Sequence, residues 1–188
     1  MNEHPSAPFD PRQCLWLVGR LFPPNRFVDA ITTTGIVEAP PNDVWLRILF
    51  YEEVPQRPPF LLRALLPSPV RMQPQRRKLG AAVEWAYTGG SIVRRITLLD
   101  KPWTVRFEVL EQRLGIERCI TAVEGIYEVR AAPRGAQVTL VTKYHGHLRP
   151  RWVWRPVERV LAHAFHRHIL AGMGATRIEP ESMALSPP

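Results

Sequence analysis

The rhythm of apolar and polar positions changes several times along this chain, and each change marks an element. Val28 to Glu38 is rich in Thr and Ile and reads as a strand. Ala39-Pro40-Pro41-Asn42-Asp43-Val44-Trp45 then turns into a short helix, with Val44, Trp45, Ile48 and Leu49 on its buried face. Residues 51–74 are proline-rich around Phe60-Leu61-Leu62 and Leu65-Leu66, and predict a second short helix near 59–66 in an irregular connection. Such a stretch is either a lid or mouth or a plain connector. Strand rhythm returns with Val83, Trp85 and Tyr87 against Glu84 and Ala86. Thr88-Gly89-Gly90-Ser91 turns the chain. The run Ile92 to Leu99 is apolar on both parities and gives no orientation.

Three clearer alternations follow. Trp103, Val105, Phe107 and Val109 alternate with Thr104, Arg106 and Glu108; Cys119, Val123, Tyr127 and Val129 with Arg118, Glu124, Glu128 and Arg130. Val138, Leu140, Thr142 and Tyr144 alternate with Gln137, Thr139, Lys143 and His145. This describes an antiparallel meander with one wet face. No proline lies within 103–132 or 134–149, while Pro102, Pro133 and Pro150 stand at the borders. Strands that must keep their ladder donors exclude proline from their interiors.

The period then lengthens over Arg151–Met173. Val153, Val157, Val160, Leu161, Ala164, Phe165, His168 and Ile169 share one helix face, with Arg155, Glu158, Arg159, His166 and Arg167 toward water. Pro156 predicts a turn at 150–155 and a regular helix from about Arg155 to Gly172 or Gly174. A helix of about 20 residues is about 30 Å long, enough to cover a whole sheet. Sheet and helix together make a container. Residues 175–188 read as a loose tail. At the other end Asp10-Pro11-Arg12-Gln13 starts a short amphipathic helix lined by Cys14, Leu17, Val18 and Leu21. The expected organisation is therefore a tail with a short helix (1–26), one domain (27–174) and a C-terminal tail (175–188).

Composition adds little to this picture. The 188 residues, 45% hydrophobic and 22% charged, suit one globular domain. The net charge is +8, and only Lys78, Lys101 and Lys143 of the 25 basic residues are lysine. No dense run exceeds Arg76-Arg77-Lys78, which speaks for spread charge rather than a nucleic-acid site. Two distant cysteines, Cys14 and Cys119, and no apolar leader point to a reducing, cytoplasmic setting. Arg149, Arg151, Trp152, Trp154 and Arg155 mix cations with indoles, as at an anionic membrane surface or a base-stacking surface, or as a capped corner of the core.

The element order resembles the helix-grip fold of the START-like superfamily, also called SRPBCC. Val37 to Trp45, the strand opening Gly135-Ala136-Gln137-Val138-Thr139-Leu140 and the terminal helix carry the resemblance. Nearest are bacterial proteins described as polyketide cyclase/dehydrase or lipid-transport-like. The resemblance implies an α+β fold: a curved antiparallel sheet of six or seven strands wrapped around a long C-terminal helix, with two short helices after the first strand. It also implies an apolar cavity for a lipid, polyketide, sterol or aromatic compound.

In such a cavity Tyr87, Tyr127, Tyr144, Thr142 and Arg94 would be the polar fittings, among Trp85, Trp103 and Phe107 and beneath Val160, Ala164 and His168. The same aromatics would equally fill a core. His168, with Tyr87, is the candidate acid–base group of a cyclisation or dehydration, or else a satisfied core histidine. His163 with His166, and His145 with His147, share faces, but nothing completes a metal set at a recognisable spacing. No motif calls for a cofactor. Three readings follow: a carrier of a hydrophobic small molecule, a metal-free polyketide cyclase or dehydratase, and a basic-surface adaptor for protein or nucleic acid. Oligomeric state is not legible.

Overall fold

The computed structural model describes residues 28–50, 69–72, 78–87 and 90–180. Strand β1 (Asp29–Val37) leads into helix α1 (Pro41–Phe50). Then come β2 (Pro69–Met72), β3 (Ala82–Tyr87), β4 (Gly90–Asp100), β5 (Thr104–Arg113), β6 (Ile120–Ala132) and β7 (Gly135–Gly146). Helix α2 (Arg151–Gly172) and β8 (Ala175–Pro180) close the order. The described strands form one sheet in the order β2-β3-β4-β5-β6-β7-β1-β8, antiparallel at every pairing. The sequence-predicted helices near 10–22 and 59–66 lie outside the described residues.

Cross-strand register fixes which side chains share the inner face, where both helices pack. One row reads Ile31, Thr142, Gly125, Phe107 and Ile96 from β1 through β7, β6 and β5 to β4. The next reads Thr33, Leu140, Tyr127, Val105 and Leu99. The outer face carries the polar parity, knitted by ion pairs from Arg95 to Glu108 (3.0 Å), Arg106 to Glu124 (3.1 Å) and Lys143 to Glu124 (2.7 Å). This is the wet face expected from the alternation.

The core gathers Val37, Val44, Trp45 and Ile48 with Val105, Tyr127, Val138 and Leu140, and closes with Ile169 and Leu170 of α2 and Met173 just after it. The buried face of α1 is therefore the one its spacing predicts. Arg47 on that helix donates to the Met173 carbonyl at 2.7 Å, satisfying an orphan acceptor at the end of α2. A smaller cluster of Tyr87, Ile92 and Leu114, joined by Trp85, Val109 and Ile116, lies toward the β3–β5 side.

Three expectations are corrected. Residues 175–180 are not tail: β8 pairs with β1, so the described strands of the sheet number eight rather than six or seven. Helix α2 begins at Arg151, not Arg155, and keeps Pro156 inside it. Pro156 gives up the bond its N–H would make to the Trp152 carbonyl, and the turn ahead of it is held by Val153 and Trp154, which donate to the Pro150 carbonyl. Third, the buried face of α2 carries Glu158, His166, Ile169 and Leu170, whereas Val153, Val157 and Val160 are exposed. Glu158 and His166 can turn inward because Arg151 of the same helix satisfies the first and the sheet residues Thr33 and Thr142 satisfy the second.

Candidate functional site

The predicted site residues separate into two groups. The first lies on the inner face of β3–β6. Trp85, Phe107 and Tyr127 form a continuous aromatic band, with ring centroids 6.4 and 6.2 Å apart. Gly125 makes room for it: a Cβ there would stand 2.1 Å from the Phe107 ring. A glycine within a strand is the sequence mark of such close approach.

Arg94 lies on this band. Its guanidinium carbon is 4.0 Å from the Trp85 ring centroid and 4.6 Å from that of Phe107. Stacking of this kind is a cation–π contact that also fixes the guanidinium plane. Nη2 donates to Tyr87 Oη at 2.7 Å, and the buried Nε has no partner. Tyr87 is itself buried. The local fold explains how a charged residue reaches this face. β4 carries irregularities between Val93 and Arg94 and between Ile96 and Leu98, each of which resets the strand's alternation.

The second group lies beneath α2. His166 is only 1% exposed and sits between two threonines. Its Nε2 is 2.8 Å from Thr142 Oγ1 and its Nδ1 is 3.0 Å from Thr33 Oγ1. Thr33 Oγ1 also meets His163 Nδ1 at 2.8 Å. Burial, and secondarily His163, hold the His166 pKa down to about 3, so the ring is neutral. His168 lies about 200° round the helix from His166 at 3.6 residues per turn, and is half-buried. The histidine expected in water is thus the one that reaches the sheet.

Tyr144, on the same inner face, is buried with no partner for its hydroxyl. Burial, followed by the charges of Glu158 and Asp29, pushes its pKa up to about 12. It borders an ionic cluster at the start of α2. Arg151 Nη1 grips both Glu158 oxygens at 2.6 and 2.8 Å, and Nη2 reaches Asp29 at 2.6 Å. Arg155 adds a contact to Asp29 at 2.9 Å. Thr142 and Tyr144 therefore serve the helix–sheet joint rather than the Arg94 band.

The remaining predicted residues are spread out. Trp103 is 43% exposed, and its backbone carbonyl accepts from the Val129 amide. Val160 is 68% exposed and points away from the sheet; Ala164 is half-buried. Phe165, absent from the predicted set, packs against the core instead. Its place in the apolar rhythm was the available signal. Cys119 is a free thiol whose pKa is raised by burial and then by Glu158 and Glu117, conditions that disfavour a nucleophilic thiolate. Among the described residues no group of three or more His, Cys, Asp or Glu could hold a metal ion, and no helix is long and apolar enough to cross a membrane.

The sequence matches no protein-family model and no curated protein. The structure is similar to that of truncated norcoclaurine synthase from Thalictrum flavum, at 12% identity over 78% of this chain and 91% of that chain, with a TM-score of 0.53. The same synthase is known in complex with dopamine and hydroxybenzaldehyde. CV1439 from Chromobacterium violaceum is similar at 14% identity over 77% and 93% of the two chains, with a TM-score of 0.51. The Aha1 dimer from Colwellia psychrerythraea is similar at 10% identity over 76% and 92%, with a TM-score of 0.50. At these identities the likeness is one of fold.

Proposed function

Because the chain has the START-like (SRPBCC) helix-grip fold, we propose that it binds and carries a hydrophobic small molecule against the inner face of β3–β6. The aromatic band of Trp85, Phe107 and Tyr127 supports this reading most directly, since it joins broad apolar surface to few polar groups. The partner described for Tyr87 is Arg94, a permanent cation, and His166 is enclosed by two threonines. Carriage is the leading reading because the band itself supplies apolar surface, whereas cyclisation would further require His168 and Tyr87 to exchange protons at the substrate.

Native mass spectrometry of protein purified from its own host should find an apolar adduct that organic solvent releases. Protein that carries no adduct, and takes up no neutral fluorescent apolar probe such as N-phenyl-1-naphthylamine, would sink the carrier reading.

A carrier must also meet the source of its ligand. Trp152 is 79% exposed, and Val153, Val157 and Val160 line the outward side of α2 on a chain of net charge +8. Exposed apolar residues on a basic protein suit peripheral contact with an anionic membrane. Phosphatidylglycerol vesicles should carry the protein upward in a flotation gradient where phosphatidylcholine vesicles do not, and Val160→Asp should weaken that recovery. Equal recovery with both lipids would count against membrane contact.

A further inference from the structure

We propose that the ligand is an apolar carboxylic acid, aryl or alkyl, whose carboxylate is received by Arg94; this rests on the carrier reading. An arginine among apolar side chains is costly unless its charge is matched and its donors are used. The partly buried arginine at the start of α2 satisfies both conditions: Arg151 is gripped by Glu158 and Asp29. Arg95 and Arg106, on the outer face, have Glu108 and Glu124.

Arg94 differs from all of these. Among the described residues no carboxylate pairs with half-buried Arg94, and its described contacts are two aromatic rings and one phenol. The rings attract the cation without cancelling its charge. The phenol occupies one Nη2 donor, and Nε stays buried without an acceptor.

The stacking also settles how a ligand must approach. Aromatic rings lie over the guanidinium, so further hydrogen bonds form at its edge, in its own plane. A carboxylate is the planar acceptor that takes two parallel N–H donors of an arginine at once. A neutral hydroxyl or ester at that edge would leave the charge unmatched. A carboxylate matches it, while its apolar body lies along Trp85, Phe107 and Tyr127.

The test displaces N-phenyl-1-naphthylamine near neutral pH with matched pairs, decanoate against methyl decanoate and 2-naphthoate against 2-naphthamide. In at least one pair the acid should bind about tenfold more tightly than its neutral counterpart. Arg94→Met should erase that preference and leave the neutral compound within about twofold, since only the charged contact is lost. If Arg94→Met does not fold, Arg94→Lys serves: it keeps the charge, loses the planar fork, and should weaken the acid alone. Neutral compounds that compete as well as the acids, or an acid preference that survives in the variant, would overturn the assignment and leave the carrier reading standing. Failure of wild-type protein to take up the probe or any of the four compounds would remove both.

Discussion

Replacing Arg151 by methionine is expected to cost about 3 kcal/mol of folding stability, because it strips the shared cation from two buried carboxylates. Glu158 and Asp29 are both buried, and Arg151 is the side chain that holds them together at the start of α2. Arg155 remains on Asp29, while Arg151 Nη1 grips both Glu158 oxygens. Water has little room to substitute. A Cβ on Gly146 would stand 2.2 Å from Arg151 Nη1 and 2.5 Å from Glu158 Oε2, so the cluster is packed against backbone. For a chain of this size the loss corresponds to a fall of about 6–12 °C in Tm. Urea unfolding of Arg151→Met should show the deficit, and the double variant Arg151→Met with Glu158→Gln should recover part of it by removing the stranded charge. A single variant within about 1 kcal/mol of wild type would mean that the cluster behaves as a surface ion pair.

Acidification should weaken the fold through His166. Its pKa stands near 6.5 in the unfolded chain and about 3 in the folded one. The unfolded state therefore takes up a proton that the folded state refuses. Stability from this residue is complete above the unfolded value and drains away as pH falls from 6.5 toward 3. By pH 5 the loss is about 2 kcal/mol, and near pH 3 about 4 kcal/mol. His163 and His147, also depressed by burial, act in the same direction. The clean measurement is the difference between wild type and His166→Gln across pH 7 to 5. The variant should start less stable, having lost bonds to Thr33 and Thr142, yet fall less steeply. Parallel slopes would show that His166 does not titrate in this way.

Both predictions concern residues that the helix pattern alone misassigned. Counting apolar positions in Arg151–Met173 selects Val153, Val157 and Val160 as the inward stripe, because it assumes that burial follows hydrophobicity. Here the stripe that meets β1 and β7 contains Glu158 and His166. His166 takes its partners, Thr33 and Thr142, from the sheet, while Glu158 pairs with Arg151 about two turns earlier on its own helix, and Arg151 in turn reaches Asp29 on β1. The unreadable run Ile92–Leu99 has a different cause. Two irregularities in β4 reset its alternation, so neither parity owns a face, and Arg94 arrives inside. β8 was missed because six residues with little periodicity gain their order from pairing with β1.

Where one element's own pattern carried the information, the reading succeeded. The alternations in β3, β5, β6 and β7, the buried face of α1, and the prolines at strand borders determined an antiparallel sheet with a long helix to cover it. Local chemistry suffices there, because a strand or helix with one apolar face must bury that face whatever lies opposite. Tertiary structure alone decided which face of α2 turns inward, that Tyr144 and Thr142 belong to the helix joint, and that Arg94 stacks on Trp85 and Phe107. Those outcomes depend on charges and hydroxyls meeting partners that one element's own pattern does not show, and a buried polar group takes its position from its partner rather than from its own hydropathy.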